Sequence, residues 1–400
     1  MNFKNKVKSF WDNEAVKVLA VAALSRVAVL LLSLLFYFIK EPNGSISQFI
    51  EWLNQTGDVP HYMRIATGGY HGDSYVDPVG PVGNVTAQML VVFYPLFPML
   101  MKVVGFVVGD LMISGMIISN ICAILAAVYM YKLVRLDYSA KTASMAVVFM
   151  FLYPFSFFMS FCYTESLFIM LSLMCIYYAR TGKWAACGII GFFGALTRTQ
   201  GIVLFGVAAY EWVIQTRRSI NPKTFGKGIK DFFKALPLSG LFTLLIPAGY
   251  GVYLTINKVL FGDWFRFLEY QKGTPWYQTS GFIPDNLNQH LNMAADNPGL
   301  AFIIYLPQFI MFIVAFALIF VGVKYKVRTS YLLHIAAYTV ASYLSTWLIS
   351  GGRYMLSCLM MFVPLALLAR NKIWRYGLIG LMSALNLFYF YLYIRGYAIM

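Results

Sequence analysis

A chain of 400 residues with 60% hydrophobic and only 12% charged residues is far from a soluble domain, in which about a quarter of residues carry charge. Its mean hydropathy of +0.67, with apolar runs of about 20 residues that match a ~30 Å hydrocarbon core, predicts an all-α polytopic membrane protein. The net charge of +15 does not indicate nucleic acid, because Lys and Arg sit in short clusters between apolar runs and not on one face, which is the positive-inside pattern.

In chain order, Lys4, Lys6, Lys8 and Lys17 place the N-terminus in the cytoplasm, and a retained first helix of about residues 18 to 39 crosses outward. Residues 40 to 88 then face outside; their glycines and prolines preclude one long helix, and they hold Asp58, His61, His71, Asp73 and Asp77. Ordered loops of this length are usually functional. Leu90 to Gly109 contains Pro95, Pro98 and Lys102 and reads as an interfacial or re-entrant helix that closes a first outer loop of about 40–110. Parity favours this. A second span of about 111 to 133 then delivers Lys132, Arg135 and Lys141 inside, whereas a full crossing by 90–109 would put them outside.

Spans of about 142 to 160 and 164 to 179 leave Tyr153 to Ser166 at the outer side, and Arg180 and Lys183 mark the inside again. Residues 184 to 216 are too many for one span and break at Thr197-Arg198-Thr199-Gln200-Gly201, which predicts two short helices meeting in the outer half of the membrane. Arg217, Arg218, Lys223, Lys227, Lys230 and Lys234 close them on the inside. A helix of about 236 to 256 leads to a second outer loop, about 257–298, with Asp263, Glu269, Trp276, Tyr277 and Asp285. Spans at about 299 to 322, 330 to 350, 354 to 369 and 376 to 395 complete an expected eleven, arranged as a first module, 1–235, and a C-terminal module, 236–400. Cys122, Cys162, Cys175, Cys187 and Cys358 lie in or beside apolar stretches without metal-ligand spacing and read as packing residues.

Ionisable groups at membrane depth are costly, so Asp58, Glu165, Arg198 and Arg353 stand out. All four fall on the outer side, at loop starts or helix breaks. One carboxylate can accept the proton of an attacking hydroxyl, while fixed arginines stabilise a departing phosphate, the combination that glycosyl transfer from a lipid phosphate needs. Motifs for a zinc protease, a nucleotide-driven pump or a serine hydrolase are missing. Plainer roles exist for each residue. Asp58 precedes Pro60 and could cap a loop helix; Glu165 sits where a helix dipole favours an acid; Arg198 could anchor two broken helices; Arg353 could snorkel from a span end. His61 fits a structural hydrogen-bonder, Asp73 and Asp77 a solvated face, and Trp276 and Tyr277 either packing or a platform for a sugar.

The blocks around these residues resemble a known family. Asp58-Val-Pro-His61-Tyr62-Met-Arg64-Ile65-Ala66-Thr-Gly-Gly69-Tyr70, Phe93-Tyr94-Pro95-Leu96-Phe97-Pro98, Tyr153-Pro154-Phe155-Ser156 through Tyr163-Thr164-Glu165-Ser166-Leu167-Phe168, Thr197-Arg198-Thr199-Gln200-Gly201 and Arg353-Tyr354 occur in the order seen in PIG-V-like mannosyltransferases of the GT-C superfamily. The resemblance covers roughly residues 20 to 215 well. One departure is Gly57, where the family usually has Trp. The resemblance implies a GT-C-type transferase that moves a hexose, mannose in this family, from a polyprenyl phosphate to an extracytoplasmic acceptor glycan or glycolipid, with inversion. It implies a site on the outer face of a bacterial plasma membrane, or on the lumenal face of the endoplasmic reticulum in eukaryotes, with Asp58 as general base; Glu165 is a candidate positioning group or second acid. His61, Tyr62, Arg64, Arg198, Gln200, Arg353 and Tyr354 are then candidates for the donor phosphate or substrate. No cofactor is expected beyond the lipid-linked donor as co-substrate, no metal ligands are assigned, and dependence on a divalent metal is left open. A flippase for lipid-linked glycans would need a second polar gate at the inner end, where the sequence offers only basic clusters; a non-enzymatic envelope-assembly protein is the third reading.

Overall fold

Helix α1 (Glu14–Lys40) turns Leu24, Leu31 and Leu35 outward, as a lipid-facing span does. In the computed structural model the described residues are 14–71, 75–76, 84–219, 235–273, 275–348, 350–397 and 399. The expectations at Lys4, Lys6, Lys8, Asp73, Asp77, Lys223, Lys227, Lys230 and Lys234, and at the Arg218 side chain, fall outside them.

After α1 come two short helices. A capping box opens α2 (Ile46–Asn54), with the Ser45 hydroxyl accepting from the Gln48 N–H and the Gln48 side chain accepting from the Ser45 N–H. Pro60 sits in the first turn of α3 (Val59–Gly68), where a missing N–H does no harm. A two-residue antiparallel pair, β1 (Tyr75–Val76) with β2 (Asn84–Val85), and a 3₁₀ turn, Ala87–Val92, lead to α4 (Leu96–Val108). Left-handed Gly109 ends α4, and the Asp110 carboxylate caps α5 (Leu111–Arg135) by accepting from the Ile113 N–H at 2.8 Å.

Next are α6 (Ala140–Leu152), a 3₁₀ turn at Ser156–Ser160, α7 (Glu165–Arg180), α8 (Trp184–Ala195), a 3₁₀ turn at Thr199–Ile202 and α9 (Val203–Ser219). The second half has α10 (Leu245–Phe261), the loop helices α11 (Arg266–Lys272) and α12 (Ile283–Asp296), then α13 (Leu306–Lys324), α14 (Thr329–Tyr343), α15 (Gly351–Met355), α16 (Phe362–Leu368) and α17 (Lys372–Ile394). Among the described residues five stretches are long and apolar enough to cross a membrane: Glu14–Lys40, Leu111–Arg135, Leu238–Phe261, Pro298–Lys324 and Lys372–Ile394. Of these five, α5 is the most buried, with 56% of its apolar window buried against 22% for α1. It packs along α7, and its fully buried Ala123, Ala126 and Ala127 allow close approach. Backbones also touch at Gly188 of α8, where a Cβ would lie 2.0 Å from the Phe242 carbonyl oxygen.

The shorter apolar helices differ from the expected spans because they stop early. The run 142–160 yields α6 only to Leu152, before Pro154, and 354–369 yields the short α15 and α16. Several breaks meet at one level: the Tyr153 hydroxyl donates to the Gly352 carbonyl at 2.7 Å, and Leu96 N–H to the Leu196 carbonyl at 3.2 Å. Helix α5 passes this level at Ser119 and Asn120, whose side chains donate to the Tyr163 and Ser160 carbonyls at 3.1 and 2.9 Å. Starting there, α4 climbs to Gly109 and α5 descends back, with Met101 near the place where Gly115 packs on Cys162. Helix α4 and the first half of α5 thus form a helical hairpin turning at Gly109.

The two expected outer loops also meet. Tyr253 donates to the Val91 carbonyl at 2.7 Å, Tyr270 of α11 donates to Gln88 Oε1 at 3.2 Å, and a β-bridge joins Ser280 to Ser345.

Candidate active site

Each of the four charged residues singled out in the sequence sits at a break, and the breaks aim them at one another. Asp58 occupies the N-cap position of α3 without making a side-chain cap bond; instead its Oδ2 accepts from Arg353 NH2 at 2.7 Å. Arg353 lies on the one-turn helix α15, and Glu165 is the first residue of α7. Arg198 stands in extended backbone between α8 and the next 3₁₀ turn. Glu165 Oε1 accepts from Arg198 NH1 at 2.9 Å and lies 3.2 Å from Arg353 Nε, a close ion contact whose angle falls short of a hydrogen bond. The cluster is thus a chain, Asp58–Arg353–Glu165–Arg198, drawing on both halves of the sequence, and its formal charges sum to zero.

Burial explains why the chain is closed. Side-chain exposure is 1% at Glu165, 6% at Arg353 and 9% at Arg198, and charges so far from water must be paired. Asp58 is the accessible member at 23%. A helix cap at Asp58 and a snorkelling Arg353 are both at odds with this geometry. Glu165 Oε2 is buried and has no hydrogen-bond partner among the described residues, so it keeps an unspent acceptor beside two guanidiniums. Aromatic faces complete the walls: Tyr354 lies under both Arg198 and Arg353, at 4.9 and 5.6 Å, and Phe158 and Tyr163 flank Arg353 at 5.2 and 5.3 Å.

Gly57 explains its own departure from the family pattern. Its φ is +58°, and a Cβ there would lie 2.3 Å from the Tyr163 hydroxyl. Tyr163, hydrogen-bonded to Tyr393 at 3.2 Å, fills space that a larger residue would need.

The other candidates divide. One turn beyond Asp58, His61 is buried against Phe93 at 4.9 Å and Trp276 at 6.3 Å, so an aromatic wall from both outer loops adjoins the acid. Tyr62 packs edge-on against Phe93 and Phe97. Gln200 is half-buried on the 3₁₀ turn after Arg198. Arg64 does not join the cluster; it donates to the His71 carbonyl at 3.2 Å. Tyr277 is exposed, in left-handed backbone at φ +47°.

Two features were missed in the sequence. Arg26, buried in the middle of α1, donates to Ser160 Oγ at 3.2 Å and lies over Phe151 at 4.3 Å, pinning the turn that leads to Glu165. At the last residue of α7, about 22 Å along the helix from Glu165, Arg180 pairs with Asp137 at 2.7 Å and approaches Glu211, which Arg328 holds at 2.6 Å. That end is therefore not lined by basic residues alone. Arg26 and Glu211 were each legible as a charge within an apolar run, the same signal that marked Glu165.

Comparison with known proteins agrees with this architecture. ArnT from Cupriavidus metallidurans, in a crystal structure bound to undecaprenyl phosphate, has a TM-score of 0.51 at 14% identity, over 89% of this chain and 62% of that one. The oligosaccharyltransferase of Archaeoglobus fulgidus in its apo form has a TM-score of 0.47 at 13% identity, over 96% and 55%. The chain thus spans less than two thirds of either enzyme's length. No curated protein sequence matches it. Residues 15–247 match the family described as mannosyltransferase (PIG-V). With this mainly helical, multi-pass membrane fold and a match over more than half its length, the chain belongs to the PIG-V mannosyltransferase family.

Proposed function

We propose that the protein transfers mannose from a polyprenyl phosphate to a hydroxyl of an extracytoplasmic acceptor, a glycolipid or cell-envelope glycopolymer, with inversion at the anomeric carbon. The observation that carries this is the closed chain Asp58–Arg353–Glu165–Arg198. It contains a proton acceptor and a pair of phosphate binders, and each is occupied by the other until a substrate arrives. A donor phosphate competes with the carboxylates for Arg353 and Arg198, through charge-assisted and bidentate hydrogen bonds. As Arg353 turns to the phosphate, Asp58 Oδ2 loses its partner and becomes free to accept the proton of an acceptor hydroxyl. That oxygen attacks the anomeric carbon from the face opposite the phosphate. The bond to the phosphate oxygen breaks with its electron pair, the arginines stabilise the charge that develops there, and the proton resides on Asp58. Direct displacement with one base gives inversion.

The basic clusters support a cytoplasmic N-terminus and a site facing outside. The flippase alternative needs a polar gate at the other end of α7, where Asp137 and Glu211 are tied to Arg180 and Arg328.

The test uses polyprenyl-phosphate mannose radiolabelled in the sugar, supplied to membranes that contain the full-length protein. Wild type should release polyprenyl phosphate and pass the label to an acceptor. Asp58→Asn, at equal expression, should be slower by about 10²–10⁴-fold, the usual worth of a general base. Turnover that persists in Asp58→Asn would overturn the assignment.

A further inference from the structure

The end of the bundle remote from Asp58 holds a cavity that sugar transfer does not use. It has a volume of about 350 Å³ and opens between α9 and the turn from α13 to α14, lined by Tyr210, Ile214, Lys326, Val327, Arg328 and Thr329. Its lining includes two cations and two hydroxyls and no acid. The acids behind it are already satisfied. Glu211, 0% exposed, accepts from Arg328 Nε and NH2 at 2.6 Å each, from Ser330 at 2.5 Å and from Gln215 at 3.0 Å; Asp137 is taken by Arg180 at 2.7 and 2.8 Å. Arg328 therefore stands fixed, with NH1 unspent toward Glu211. Lys326 is exposed and held in left-handed backbone at φ +52°, a conformation that a lysine seldom adopts. Helix α14 begins at the cavity, and no side chain caps its first turn.

We propose that this cavity binds the phosphate of an anionic phospholipid in the leaflet opposite the reaction centre. The fixed guanidinium, the ammonium and the hydroxyls match a phosphodiester, and basic pockets between membrane helices on the basic-loop side suit such headgroups. Ile214 and Val327 provide an apolar margin for the glycerol and first acyl carbons. The position agrees. Along α13 the cavity lies near Lys324, whereas Gln308 at the other end accepts from the Gly352 N–H beside Arg353, so the cavity lies at the end of that helix remote from the cluster. A lipid held here would clasp α9 to α14 beside the Glu211–Arg328 pair.

The experiment takes purified full-length protein in neutral detergent and measures retained lipid by native mass spectrometry. The probes are dioleoylphosphatidylglycerol and dioleoylphosphatidylcholine, with inorganic phosphate as competitor. Phosphatidylglycerol should bind in preference to phosphatidylcholine and resist millimolar phosphate. Lys326→Asn, which removes the charge while tolerating the left-handed backbone, should weaken it about fivefold, the usual worth of one juxtamembrane cation. The same change at exposed Lys372, in the next basic loop, should leave the affinity unaltered. Equal retention of both lipids, undiminished binding in Lys326→Asn, or equal loss in Lys372→Asn would overturn the site. Displacement by inorganic phosphate would assign the cavity to a free anion and overturn the lipid. Donor turnover is not a readout here, so failure of this proposal and failure of the transfer reaction are separable.

Discussion

Arg353 is the residue on which two acids converge, since its guanidinium lies 2.7 Å from Asp58 and 3.2 Å from Glu165. Removing it strands Asp58 and leaves the almost fully buried Glu165 with Arg198 alone. Arg353→Ala is expected to cost about 3–5 kcal/mol of stability, as broken buried pairs do, read as a lowered unfolding midpoint in detergent. Arg353→Lys should recover much of that stability but little transfer, because an ammonium cannot span both acids and offer a phosphate two parallel donors. An unchanged midpoint in Arg353→Ala would show that the pairs carry no structural weight. Gly57 makes a second residue-scale prediction. Gly57→Ala should destabilise the protein, and Tyr163→Phe in the same chain should restore part of the loss by removing the hydroxyl that the new methyl meets. The four charged residues could be picked from the sequence because charge at membrane depth is rarely idle. Their partners could not, since which arginine meets which acid depends on where distant breaks come to rest. Arg64 illustrates the limit: it lies within a matching block, yet its side chain serves the His71 carbonyl.

At the scale of elements, the site exists because helices stop inside the bundle. Pro95 and Pro98, and the Thr197 to Gly201 break, announced two of these stops; those at Leu152 and around α15 were hidden by apolar sequence that continues past them, although Pro154 and Pro364 were available as signals. Helices α11 and α12 were not separable from loop in the sequence, because their apolar faces show only once α11 rests on the 3₁₀ turn of the first outer loop and α12 on α13 and α14. Helix α12 carries a pH dependence. His290 is 2% exposed, its Nδ1 has no hydrogen-bond partner among the described residues, and burial pushes its imidazole down to about 4 from 6.5. The native state holds the neutral ring while the unfolded chain takes up a proton below pH 6.5. Stability should therefore be complete above that value, decline as pH falls toward 4, and level off below. At pH 5 the loss is about 2 kcal/mol, measurable over Ile283–Asp296 as hydrogen-exchange protection factors, corrected for the intrinsic rate at each pH, that are lower than at pH 7. His290→Leu should remove the difference, and equal protection factors at both pH values in wild type would contradict it.

For the molecule as a whole, the asymmetry of charge becomes an asymmetry of function: one neutral, closed ion chain at the first residue of α7 and a second cluster, backed by basic turns, at its last. Mainly helical membrane architecture was legible from composition, whereas the side of the 90–109 segment was argued in the sequence only through parity. Sidedness is open to direct measurement because the five native cysteines are buried. An impermeant maleimide should reach Ser45→Cys and Ser280→Cys from one face of the membrane and Thr329→Cys from the other; labelling of all three from the same face would refute the two-ended arrangement. The central claim is that phosphate and proton have separate holders that occupy each other at rest. The affinity of purified protein for undecaprenyl phosphate tests it most directly. Asp58→Asn should bind that lipid as tightly as wild type or more so, since Arg353 is released, while Arg353→Gln should lose about tenfold or more, the worth of a charge-assisted pair; unaltered binding in Arg353→Gln, or binding lost in Asp58→Asn, would contradict the exchange of partners.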